Sequence, residues 1–224
     1  MSRPRRLGLL GGTFDPVHFG HLDAANAALR ALTLDQVWLI PSHVPMHRPR
    51  DPVASPYHRF ALASLAVADH PQLRVSDVEL MRGGRTYTVD TLEALHTQGW
   101  TSAQLFFILG TDAFAEIATW RAYPDVLDAA HFVVITRPGT SAAAAVSRTP
   151  ELASRVRTPD ATQMAGNTTG ILIVEADTRD VSSTTIRERL RAGRPVDDLV
   201  PTPVARHILT HQLYEAVDHL HGES

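Results

Sequence analysis

Gly11-Gly12-Thr13-Phe14-Asp15-Pro16-Val17-His18-Phe19-Gly20-His21 is the stretch on which the reading of this chain turns. The apolar run 7–10 precedes it and an apolar pattern of helical period, 20–32, follows. The order predicts a strand, a glycine turn and the start of a helix. His18 and His21 stand three apart in the first helical turn, and residues at that spacing share a helix face. Amides of a glycine turn and of a helix N-terminus together make an anion site. The element therefore predicts a ligand rich in phosphate, with Gly20 letting it approach the backbone between the two rings. Two other readings of the pair are caps packed against the turn and half of a zinc site, for which local spacing supplies no third ligand.

Working outward, apolar β-favouring runs recur at 7–10, 36–40, 73–75, 104–109, 131–135 and 171–174. Helical patterns lie between and after them at 20–32, 56–68, 89–97, 113–117, 125–129, 183–192 and 203–217. Strands alternating with helices predict an α/β fold, a Rossmann-like doubly wound parallel sheet in one domain spanning 1–224. Such sheets bind ligands beyond the carboxyl ends of their strands. Those ends carry glycine, proline or polar residues here, as at Gly110-Thr111-Asp112 and Thr136-Arg137-Pro138-Gly139. The stretch 140–170 is small, polar and proline-bearing, which predicts an insertion or lid loop, with a short helix over 150–157.

Composition narrows the chemistry. The 224 residues carry a net charge of -3, so no basic field invites nucleic acid. Cysteine is absent, which removes thiolate zinc sites and cysteine nucleophiles. No apolar run approaches the length of a membrane span or a signal peptide, and the expectation is a cytoplasmic protein with no membrane partner. All 21 basic residues are arginine. A P-loop and a Schiff base both need lysine, so neither is available. Phosphate must be handled by arginine, histidine, main-chain amides and a metal ion carried with it.

A second constellation, Ser182-Ser183-Thr184-Thr185-Ile186-Arg187, follows the last strand and opens a helix. One hydroxyl would suffice as a cap. Several in a row, with an arginine fork one turn in, predict a second phosphate-facing helix end.

With both constellations in view, the chain resembles the nucleotidyltransferase superfamily marked by His-x-Gly-His and a Ser/Thr-rich Ile-Arg motif, and within it the bacterial nicotinate-nucleotide adenylyltransferases. Further matching segments are Pro45-Met46-His47-Arg48, Arg85 to Leu92 with its Thr86-Tyr87-Thr88, Phe107 to Asp112, Trp120, Arg137-Pro138 and Leu199-Val200-Pro201. The resemblance spans nearly everything except 140–170. It implies transfer of AMP from ATP to nicotinate mononucleotide, with release of pyrophosphate and Mg²⁺ accompanying ATP. It casts His18, His21 and Arg187 as the catalytic set. Gly11, Gly12, Thr13, Phe14, Gly110, Asp112, Ser183, Thr184 and Ile186 would bind ATP, with Asp112 and Gly110 at the ribose. His47, Arg48, Thr86, Tyr87, Trp120 and Arg137 would bind the acceptor, Trp120 by stacking on its ring. The family commonly has lysine where this chain has Arg48, which replaces a point charge by a planar fork. Trp120 also reads as core packing, and Thr88 as a helix cap. A pantetheine-phosphate adenylyltransferase, a nicotinamide mononucleotide adenylyltransferase, a cytidylyltransferase and a catalytically silent nucleotide-binding regulator are the alternatives on the same frame. Oligomeric state is not legible, and a homo-oligomer stays open.

Overall fold

The structure, a computed structural model, describes residues 5–45, 51–136, 144, 146–158 and 168–215. Its seven-stranded sheet is wholly parallel. Strands β1 (Leu7–Gly12), β2 (Gln36–Pro41), β4 (Leu73–Val75), β6 (Leu105–Gly110), β7 (His131–Thr136), β8 (Val156–Arg157) and β9 (Ile171–Glu175) are ordered β4-β2-β1-β6-β7-β9-β8. The chain builds outward from β1 on one side, then returns to place β6 on the other. That reversal between β1 and β6 opens the crevice where such sheets bind ligands.

Alternation along the strands sorts the core onto two faces. Leu10, Phe106, Ile108, Val133, Ile135 and Leu172 pack with helices α1 (Phe19–Ala31) and α2 (Pro56–Ala66), and with α6 (Ser183–Arg191) and α7 (Thr202–Thr210). Leu7, Leu9, Phe107, Leu109, Phe132 and Val134 pack with Leu92 and Leu95 of α4 (Thr88–Thr97) and Phe114 of α5 (Thr111–Ala115). The period of two is what a sheet covered on both faces demands. No described helix is long and apolar enough to cross a membrane.

Several boundaries move. Each major strand except β4 ends one or two residues beyond its apolar run, so Gly11 and Gly12 are strand residues rather than a turn, in register with Ile40 and Pro41. Main-chain pairing is indifferent to side chain, and the amide of Ser42 still bonds Gly12 O at 2.9 Å. Helix α4 is capped at Tyr87, not Thr88, and the expected helices at 113–117 and 125–129 resolve into α5 plus short 3₁₀ turns, Ile117–Thr119 and Asp125–Asp128. Pro150–Arg155 is likewise 3₁₀, and leads into β8, the edge strand. The described part of the 140–170 stretch thus extends the sheet, with Val146 and Leu152 buried against it. Short elements unforeseen from the sequence are α3 (Val78–Arg82) and a two-stranded sheet of β3 (Val44–Pro45) and β5 (Arg85–Thr86).

Candidate active site

The loop from Thr13 to His18 leaves β1 at the crevice. Phe14 takes a left-handed backbone (φ 51°) and turns its ring under the chain, where a Cβ on Gly12 would meet it at 2.9 Å. Glycine is required there. Asp15, buried beneath the loop, accepts the amides of Val53 and Ala54 at 2.9 and 3.0 Å and the Tyr214 hydroxyl at 3.0 Å. Two distant parts of the chain therefore converge on one carboxylate. Arg59 braces the loop from α2, donating to the carbonyls of Thr13 (2.7 Å), His43 (2.9 Å) and Ala54 (3.2 Å).

His18 sits at the N-cap of α1 with His21 stacked on it, ring centroids 3.6 Å apart, and Phe14 meeting His21 edge-on at 5.0 Å. The His18 amide donates to His21 Nδ1 at 3.2 Å. Nδ1 is then an acceptor, which leaves the ring proton of neutral His21 on Nε2, the donor tautomer for a phosphate. Burial lowers the His18 pKa to about 4, against the pull of Asp23. Its Nδ1 has no hydrogen-bond partner. A Cβ on Gly20 would meet Arg179 O at 3.1 Å and the His18 ring at 3.2 Å, so the glycine gives room to a neighbouring loop and to the imidazole, and it also lines the larger cleft.

The late constellation docks directly on the early one. Arg187 donates to Asp15 O at 2.7 Å and its second nitrogen to the Thr184 hydroxyl at 3.1 Å. Ser183 donates its hydroxyl proton to Pro16 O at 2.9 Å, and Ser182 caps α6 by accepting the Thr185 amide at 3.0 Å. The Ser183 hydroxyl is thus already engaged as a donor. What α6 offers a phosphate is its first amides, which have no intrahelical acceptor, together with Thr184 and the Arg187 fork. Ile186 is fully buried in the core and Phe14 lies under Gly12, so both could meet ATP only through main chain.

Two adjoining clefts open at the crevice. The larger, about 360 Å³, is lined by Gly11, His18, His21, Gly110 and Asp112, and walled by Arg179. Arg179 is neutralised by Asp23 at 2.8 Å and stacks on Phe19 at 3.9 Å, and its hydrogen bond holds Asp23 below the usual carboxylate range. The smaller, about 260 Å³, is lined by Gly12, Thr13, Ser42, Glu79, Thr86 and Trp120. Both clefts share Gly11, Ile108, Leu109 and Ala113. Trp120 packs edge-on against Phe107 at 5.8 Å, as its core reading expects, and also lines the smaller cleft. Tyr87 lies beneath the Arg121 guanidinium, 4.8 Å away. His47, Arg48 and Arg137 lie outside the described residues.

Unspent polarity gathers at the same place. Among the described residues, buried side-chain atoms without a hydrogen bond include His18 Nδ1 and Thr136 Oγ1, from residues of the larger cleft, and Ser42 Oγ and Glu79 Oε2, from residues of the smaller. Such atoms cost about 1–3 kcal/mol each. Sequence reading gave no role to Asp15, Arg59, Ser42, Glu79 or Tyr214. A signal existed for Arg59 alone: it occupies the apolar stripe Arg59, Leu62, Ala63, Ala66 of α2, where a charge must find buried acceptors.

Residues 9–189 match the cytidylyltransferase-like family, and the chain belongs to it. Curated relatives narrow the class. The protein named "Probable nicotinate-nucleotide adenylyltransferase" in Corynebacterium kroppenstedtii is 39% identical over 93% of this chain and 90% of its own length. Its namesake in Bordetella pertussis is 41% identical over 93% of this chain and 98% of its own. Within the family, then, this chain stands among the nicotinate-nucleotide adenylyltransferases. The Plasmodium falciparum nicotinic acid mononucleotide adenylyltransferase complexed with NaAD shares the fold, with TM-score 0.68 at 15% identity over 94% of this chain and 98% of that one. The same enzyme complexed with APC gives 0.65 at 14% identity over equal shares.

Proposed function

We propose that this chain transfers AMP from ATP to nicotinate mononucleotide, forming nicotinate adenine dinucleotide and pyrophosphate in the cytoplasm. The observation that carries the reading is the pair of adjoining clefts meeting at Gly11, one faced by two imidazoles and the other by Thr86 and Trp120. ATP would occupy the larger, its triphosphate running past His18 and His21 toward α6 and Arg187, its ribose at Gly110 and Asp112. The acceptor would occupy the smaller, its ring against Trp120.

The acceptor's 5′-phosphate attacks the α-phosphorus of ATP, a P–O bond forms as the bond to the β-phosphate oxygen breaks, and pyrophosphate leaves. The attacking oxygen is already anionic, so no general base is needed. Catalysis is alignment of two anions and neutralisation of the charge that develops between them. His21 Nε2–H, the amides at the start of α6 and the Arg187 fork are donors fixed before the substrate arrives. Mg²⁺ would enter on the ATP phosphates as part of the substrate and supply Lewis-acid stabilisation there. The donor character of the cleft suits phosphate oxygens. Pyrophosphate release from ATP, measured with nicotinate mononucleotide, its amide, pantetheine phosphate and choline phosphate, tests the reading. Fastest release with the first supports it; release only with one of the last two would replace it.

A further inference from the structure

Glu79 lies on α3 at the wall of the acceptor cleft, and the reaction just described does not use it. It is 5% exposed. Oε1 accepts the Thr91 hydroxyl at 2.6 Å, whereas Oε2 is buried with no hydrogen bond. An ionised carboxylate so placed leaves one anionic oxygen without a donor; a neutral carboxyl does not. Burial pushes its pKa up to about 7, with the Thr91 and Thr86 hydroxyls and the Arg82 and Arg59 guanidinia pulling it the other way. The charged groups around it also serve other partners. Arg82, on its own helix, pairs with Asp90 of α4 at 3.8 Å, and Arg59 of α2 serves the carbonyls of Thr13, His43 and Ala54. His43, from the β2–β3 turn, gives its amide to the Thr86 hydroxyl and a ring nitrogen to Gly84 O. The rest of the wall nearby is neutral: Ser42, Thr86, Thr88 and Trp120.

We propose that Glu79 sets the cleft's choice between a pyridine carboxylate and the corresponding amide. Protonated, it leaves the wall uncharged and admits the acid; ionised, it opposes the acid's carboxylate and leaves the neutral amide unaffected. The inference rests on the smaller cleft being the acceptor site. Two carboxyl groups in one desolvated pocket share a proton rather than both ionise. Binding of the acid therefore draws a proton onto Glu79, and binding of the amide does not. By linkage the acid loses affinity relative to the amide as pH rises past the point where free Glu79 ionises, by up to about tenfold per pH unit. The 5′-phosphate titrates in both acceptors and cancels from the ratio.

The test is kcat/KM for nicotinate and nicotinamide mononucleotides from pH 6 to 9, in the wild type and in Glu79→Gln. The wild-type acid-to-amide ratio should fall at least ~10-fold across that range. In Glu79→Gln, uncharged at every pH, the ratio should hold level. Calorimetry of the wild type at pH 8 in two buffers of different ionisation enthalpy should show extra proton uptake with the acid, a readout independent of the variant's folding. Turnover with a ratio that ignores pH, equal proton uptake for both acceptors, or a variant that follows the wild-type profile overturns the role of Glu79. No turnover with either acceptor overturns the assigned activity itself.

Discussion

Burial lowers the His18 pKa to about 4, so its ring is uncharged at neutral pH. In the proposed reaction it would offer the phosphates an oriented hydrogen bond rather than a fixed positive charge. The stacked His21 is oriented by the His18 amide. Removing one preorganised donor from a desolvated transition state costs about 2.7–4 kcal/mol. His18→Ala and His21→Ala should each lower kcat by at least ~100-fold while the folded fraction stays high. Steady-state pyrophosphate release, with circular dichroism as the folding control, measures both. Near-normal turnover in either variant removes that ring from the mechanism. At this scale the sequence was informative because the chemistry is local: His18 and His21 share a turn, and Ser182 to Arg187 are contiguous. The use of each atom was not legible. Nothing in the order of residues says that the Ser183 hydroxyl faces Pro16 O, or that Gly20 makes room for Arg179 O.

Among elements, α2 owes its position to an arginine in its apolar stripe. Arg59 is 0% exposed and its three nitrogens serve three main-chain carbonyls from three segments. Replacing it by methionine keeps much of the volume and leaves those carbonyls without a donor, at about 1–3 kcal/mol apiece. Arg59→Met should therefore lose at least ~3 kcal/mol, a fall in Tm of roughly 6–12 °C for a chain this long. Thermal melts followed by circular dichroism check it; an unchanged Tm would show that water or another group serves the carbonyls. The elements that escaped the sequence share a physical reason. Strands β3 and β5 have two residues each, too short for any period, and exist because the β2–β3 turn and the α3–α4 connection run side by side. Edge strand β8 is similarly brief and sits in a stretch whose composition reads as loop.

For the whole molecule, two buried imidazoles make stability depend on acid. His18 and His131 both have pKa values lowered to about 4 by burial. A group whose folded pKa is depressed favours the native state above its unfolded pKa and loses that preference as pH falls. Here the loss begins near 6.5 and continues toward 4. Glu79 acts in the opposite sense, since its raised pKa favours the native state as pH drops from about 7 to 4.5. Two imidazoles outweigh one carboxyl, so unfolding free energy should fall by about 1.4 kcal/mol per pH unit from 6.5 to 4.5. Urea midpoints across that interval measure it, and a level midpoint would contradict the buried, neutral rings. The strand-and-helix alternation was enough to anticipate a parallel, doubly wound sheet, because buried strands between amphipathic helices have few other solutions. The order β4-β2-β1-β6-β7-β9-β8 was not, since it depends on which crossovers pack over which face.

That order brings the two constellations together. Arg187 reaches Asp15 O, three residues before the first histidine, from a point 172 residues later in the chain. A crystal structure with a non-hydrolysable ATP analogue and nicotinate mononucleotide tests this arrangement most directly. The triphosphate should lie between the rings of His18 and His21 and the start of α6, with Arg187 on its outer phosphates and the acceptor ring against Trp120. A triphosphate bound away from those rings, or an acceptor outside the Thr86–Trp120 cleft, would contradict the account.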